Sequence, residues 1–186
     1  MEKKPTRSCL ESFRHPHWDY SAAAAYFITI DTANMAHYFG HVTDGVMRLN
    51  QIGQLVQQIW LLIPEQFAFV RLGAHIVMPN HMHGIIQIEA TPDHQLQEHV
   101  IAEFSVPTAG KIGGITGIHN PMLHQNLGRV VRWFKGRSTC EIRKTGFEFA
   151  WHSRYYDRII LNAEIYDRVT AYIEDNPRKW EEFGTR

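Results

Sequence analysis

Two strand-like runs, residues 72–78 and 81–88, are separated only by Pro79-Asn80. Proline and asparagine both favour a turn there, and a link that short leaves antiparallel pairing as the only way back. This pair sits between two stretches of helical periodicity. Before it, Ile52, Leu55, Val56, Ile59, Trp60 and Ile63 recur at helical spacing, with Pro64 read as the stop. After it, Leu127, Val130, Val131 and Phe134 repeat at i, i+3, i+4, i+7, with Gly136 a weak point in that second helix. Residues 25–30, Ala-Tyr-Phe-Ile-Thr-Ile, form a β-branched and aromatic first strand. A polar stretch with an Asp44-Gly45 turn signal follows it. Residues 155–161 are the fourth strand, and a third helix runs from 163 to about 175, stopped by Pro177. The order is strand, helix, strand, strand, helix, strand, helix. It predicts an α+β, ferredoxin-like (RRM-like) antiparallel sheet with helices on one face, an open opposite face and an additional C-terminal helix.

The 186 residues suit a single domain with a sizeable core. Residues 90–125 lack periodicity and carry Gly110, Gly113, Gly114 and Gly117, which reads as a long irregular insertion. No apolar run reaches the length of a membrane span, so no membrane partner is expected. The basic, polar first residues do not look like a secretory signal. Cys9 and Cys140, far apart, suit a reducing compartment, and the expected location is the cytoplasm. Net charge is zero, which does not by itself advertise a nucleic-acid binder. The charge is nevertheless uneven: Arg129, Arg132, Lys135, Arg137, Arg143 and Lys144 are opposed only by Glu141 over residues 126–144. A solvated helix face would look the same.

Chemistry is carried by two short segments. In a strand, residues two apart share a face. His81 and His83 would therefore point away from the helices with Ile85 and Gln87, while Met82, Gly84, Ile86 and Ile88 pack beneath them. Two imidazoles so placed are able to bind one divalent ion. An H-x-H triplet alone is weak evidence, and His15-Pro16-His17 is a second one without strand context. Near the C-terminus, Tyr172 and Asn176 are four residues apart and share a helix side with Ile165 and Val169. From spacing alone, a core tyrosine and a capping asparagine remain the simpler reading, and Tyr155, Tyr156 and Tyr166 are alternative phenols.

Together these segments resemble the REP-associated tyrosine transposases, in the single-tyrosine branch of the HUH endonucleases. The resemblance runs from about His15 to Trp180. Its marks are Pro16-His-Trp-Asp-Tyr20, Tyr26-Phe-Ile-Thr-Ile30, Val77-Met-Pro-Asn-His-Met-His-Gly84, Val131-Arg-Trp-Phe-Lys135, Trp151 with Tyr155-Tyr-Asp157 and Ile159-Ile160, and Tyr172-Ile-Glu-Asp-Asn-Pro-Arg-Lys-Trp180. The chain departs from the family pattern at His152, where Gln is common, and at Leu161, where Arg is common.

The resemblance implies a divalent ion, Mg²⁺ or Mn²⁺, held by His81, His83 and Asn176, and a catalytic Tyr172. It implies an endonuclease and strand-transferase that forms a covalent 5′-phosphotyrosine intermediate on single-stranded or hairpin (REP-type) DNA. Some relatives act as homodimers that exchange the tyrosine helix and others as monomers, so the resemblance leaves both states open. A phenol is a poor nucleophile at neutral pH and needs a neighbouring ion or base. Neutral imidazole and amide ligands add no negative charge, so the ion keeps its Lewis acidity. Arg129, Arg132, Lys135 and Arg154 are candidate backbone contacts, and Trp133 or Tyr155 a candidate base-stacking surface. Trp151 reads as core. The alternatives are a catalytically silent hairpin-binding protein and a hydrolase that uses water in place of the tyrosine.

Overall fold

In the computed structural model the described residues are Trp18, Tyr20, 22–89 and 126–183. The insertion expected over 90–125 and the His15-Pro16-His17 triplet lie outside them. The elements are β1 (Ala24–Asp31), β2 (Gly40–Thr43), β3 (Val46–Leu49), α1 (Gln51–Leu61), α2 (Ile63–Gln66), β4 (Val70–Val77), β5 (His81–Ile88), α3 (Leu127–Lys144), β6 (Tyr156–Ile160), α4 (Ala163–Glu174) and α5 (Asn176–Phe183). Strands β4-β5-β1-β6 form one sheet in that order, and every neighbouring pair is antiparallel. This is the ferredoxin-like arrangement that the element order predicts.

Alternation along the strands divides the sheet into two faces. Tyr26, Ile28 and Ile30 of β1 and Met82, Ile86 and Ile88 of β5 pack against Val56, Ile59 and Trp60 of α1 and against Val130, Val131 and Phe134 of α3. Gly84 belongs to this face, and a Cβ there would run into the Trp60 ring. The glycine after the two histidines thus lets α1 approach the sheet. Asparagines start three of the helices. The side chains of Asn50, Asn126 and Asn162 accept from the backbone N–H of Gly53 (2.9 Å), Arg129 (3.0 Å) and Ile165 (2.9 Å), each closing an N-terminal turn that would otherwise leave donors unpaired.

The opposite face is not open, contrary to the sequence expectation. Helix α4 lies across it, and Ile165, Tyr166, Val169 and Ile173 pack on Phe27, Ile76, Ile85 and Ile160. Periodicity identifies which residues share a face but not which helix comes to cover them. Both prolines read as stops also behave differently. Pro64 sits in the first turn of α2 and Pro177 in the first turn of α5, where a missing N–H costs nothing. Each proline therefore marks a restart. The polar stretch after β1 contains a ribbon of its own, β2–β3. Its Asp44-Gly45 turn has positive φ at both residues (53° and 66°), as a tight hairpin turn requires. Gly136 does not interrupt α3, which runs unbroken to Lys144. Among the described residues no helix is long and apolar enough to cross a membrane.

Candidate functional site

The register of β1 against β5 sets the base of the site. Thr29 lies opposite His83, and Asp31 opposite His81. The two imidazole rings stand 4.6 Å apart, centroid to centroid. Each is held by its Nδ1. His81 Nδ1 is 2.8 Å from Asn80 Oδ1, and His83 Nδ1 is 2.9 Å from Thr29 Oγ1. Asn80 is itself oriented, because its Nδ2 donates to the Met35 carbonyl (3.2 Å). That leaves Oδ1 to accept from His81 Nδ1–H, and the Nε2 lone pair of His81 is free to bind an ion.

Above the histidines lie the last two helices. Tyr172 of α4 places its ring 5.4 Å from that of His83. Trp180 of α5 places its ring 5.5 Å from that of His81. Asn176 falls one helical turn after Tyr172 and one before Trp180, and is 7% exposed. The three residues are thus spaced by four along the stretch that roofs the imidazoles. Phe27 touches both His83 (5.2 Å) and Tyr172 (5.9 Å, edge-on). The Lys179 ammonium stands 5.2 Å from the centre of the Tyr172 ring.

Burial sets the charge state. His81 and His83 are 9% and 6% exposed. Burial lowers the His81 pKa to about 4. Burial, with the adjacent His81, lowers that of His83 to about 3. Both rings are therefore neutral at pH 7, the form in which imidazole binds metal. Tyr172, by contrast, is 41% exposed and reachable from solvent. Among the described residues no group of three or more His, Cys, Asp or Glu could hold a metal ion, so an ion on the histidine pair would need a third donor of another kind. Asn176, one turn after Tyr172, carries an amide oxygen that would suit such a role. Two neutral imidazoles and an amide fit a divalent cation that keeps its remaining positions for oxygen ligands.

The DNA-contact candidates fall in two places. Arg129, Arg132 and Trp133 sit on α3, across the sheet from the histidines. Trp133 packs edge-on against Phe67 (5.7 Å), and the Arg129 guanidinium lies 5.8 Å from the same ring. Lys135 is committed to the fold: its Nζ donates to the carbonyls of His152 (2.7 Å), Ser153 (3.2 Å) and Arg154 (3.4 Å). Burial pulls its ammonium below the ordinary lysine range. Arg154 is exposed, beside the His81 end of β1, where the His152 N–H donates to the Asp31 carbonyl (2.8 Å). Trp151 is core, donating to Ser138 Oγ (2.9 Å).

Sequence reasoning missed four contributors. Thr29 and Asp31 are placed by strand register, and Asn80, next to His81 in sequence, by its side-chain hydrogen bond. Trp180 was visible as the next member of the series Tyr172, Asn176, Trp180.

No protein-family model matches the chain. An uncharacterized protein of Haemophilus influenzae is 35% identical over 172 residues, covering 92% of this chain and 89% of that one. Among solved structures, a REP-associated tyrosine transposase bound to a REP hairpin aligns over 89% of this chain and 73% of its own, with a TM-score of 0.56 and 16% identity. The chain therefore belongs to one family with the Haemophilus influenzae protein, and its fold is that of the REP-associated tyrosine transposase.

Proposed function

We propose that the protein is a metal-dependent DNA nicking and joining enzyme of the transposase type, with Tyr172 as nucleophile and His81, His83 and Asn176 as the holders of one divalent ion. The observation that carries this reading is the meeting of Tyr172 with the neutral His81–His83 pair inside one chain. A bound Mg²⁺ or Mn²⁺ would supply Lewis-acid polarisation of the phosphoryl oxygens. The chain's own residues do the rest. Asn80 and Thr29 fix the imidazoles, Phe27 keeps the Tyr172 ring beside them, and the exposed Oη is the attacking atom. The Tyr172 Oη–P bond forms as the P–O3′ bond breaks. The phenol proton passes to solvent and the departing 3′-oxygen takes one up, so no electrons or nucleotide are consumed. The 5′-phosphate stays on Tyr172, and attack by another 3′-hydroxyl frees the tyrosine and joins a new strand.

The solved neighbour is bound to a REP hairpin, and hairpin-flanking single strands are the substrate we assign here. Arg154 lies beside the site. Arg129 and Arg132 remain available to a hairpin stem held against the α3 layer. The test is incubation of the protein with a labelled single-stranded oligonucleotide and Mn²⁺, followed by denaturing electrophoresis. A covalent adduct should form, vanish in EDTA and be missing for Tyr172→Phe. Cleavage without any adduct would replace this reading with that of a water-using hydrolase.

A further inference from the structure

We propose that Arg154, Tyr156 and Arg158, along the uncovered edge of the site's sheet face, form the track on which a single-stranded nucleic acid runs to Tyr172. The inference rests on the strand-transfer reading and names where its substrate lies.

Register places the residues. Thr29 faces His83 on one side and Tyr156 on the other, and Phe27 likewise faces Ile85 and Arg158. Residues directly opposed across antiparallel strands share a face. Tyr156 and Arg158 therefore lie on the face of His83, two strand spacings or about 10 Å away. Their sequence neighbours Tyr155 and Ile159 pack into the other layer. Arg154, exposed, lies two residues before the strand begins.

Helix α4 leaves this edge bare. It leans towards β4 and β5, where its Tyr166 hydroxyl accepts from Gln87 Nε2 (3.1 Å). At the far end of β6, Ile160 is buried beneath α4, but Tyr156 is 46% exposed and Arg158 is exposed. Tyr172 is exposed as well, and Phe27, which faces Arg158 across the strands, touches its ring.

The chemistry of the strip, cation, aromatic, cation, matches one ligand class. A single strand offers phosphates to the arginines and an unpaired base face to the tyrosine. A duplex keeps its base faces stacked within itself and offers Tyr156 none.

The test is fluorescence anisotropy with a labelled single-stranded oligonucleotide in EDTA, beside the adduct assay with Mn²⁺. Tyr156→Ala, Arg154→Gln and Arg158→Gln should each weaken binding about tenfold, within the range of a lost stacking or phosphate contact. Arg158→Gln should also lower the slope of log affinity against log salt by about 0.7, the effect of one phosphate contact on a single strand. Tyr156→Ala should leave that slope unchanged, and Tyr156→Trp should restore affinity. Arg137→Gln, a control on α3, should change nothing. If wild type binds and forms the adduct while the three variants bind within twofold of it, the track is wrong and the strand-transfer reading survives. If the variants lose binding but wild type forms no adduct, the track stands and the tyrosine chemistry falls. If wild type binds no single strand, both fall.

Discussion

The ring of Tyr172 stands 5.4 Å from the ring of His83, tilted by 59° to it, with Phe27 in contact with both. The two residues come from the last long helix and a central strand, and they meet on the face of the sheet that carries no other helix layer. His83 is sealed while Tyr172 is open. That asymmetry suits a buried ligand beneath an accessible nucleophile. It also means that perturbing either residue's supports should disturb the site before it disturbs the fold.

Asn80 is the first such support. Its Oδ1 holds His81 Nδ1 and so leaves Nε2 as the donor atom. Asn80→Ala should reduce Mn²⁺ affinity about 10- to 100-fold, the usual cost of losing such a partner, as read by calorimetry. Thr29→Val should act similarly through His83. Mn²⁺ affinity unchanged in both variants would show that the imidazoles are not ligands.

Acid should destabilise the metal-free protein earlier than ordinary carboxylate titration would. His81 and His83 have folded pKa values near 4 and 3, below the unfolded value of about 6.5. The unfolded state therefore takes up protons first as pH falls. Stability is full above pH 6.5 and declines by about 1.4 kcal/mol per pH unit for each histidine below it. The decline levels off near pH 4 for His81 and pH 3 for His83. Urea unfolding in EDTA between pH 7 and pH 4 measures this. The double variant His81→Gln/His83→Gln should have a flatter profile, and an equally steep one would contradict the assignment.

Gly84→Ala should destabilise the fold by about 1–3 kcal/mol, as overpacking of a close-packed core does, because the added methyl meets the Trp60 ring. Thermal melting reads the effect. Trp60→Leu in the same chain should recover part of the loss, since it removes the obstructing ring. A neutral Gly84→Ala would mean that α1 does not press on β5 at this point.

Much of the fold was legible because its signals are local. The alternation of residues 81–88 separates His81 and His83 from Met82 and Ile86, and the structure keeps that separation. The helical stripe Ile165, Val169 identifies the packed side of α4, and that side does pack. Other features depend on tertiary placement. No periodicity reveals that α4 folds over the face expected to be open. Strands β2 and β3 are four residues each and mostly solvent-facing, too short and too polar to stand out. Pro64 and Pro177 carry the same local signal whether a helix is ending or beginning. The importance of Arg158 was hidden for a related reason, since its neighbour in space, Phe27, is known only from register.

The most direct measurement is mass spectrometry of the trapped adduct after trypsin digestion. Residues 169–178, Val-Thr-Ala-Tyr-Ile-Glu-Asp-Asn-Pro-Arg, are flanked by arginines and contain one tyrosine, Tyr172, whereas Tyr155, Tyr156 and Tyr166 fall in other peptides. The account predicts the nucleotide mass on residues 169–178 and nowhere else. A nucleotide on the peptide of Tyr155 and Tyr156, or on that of Tyr166, would contradict it.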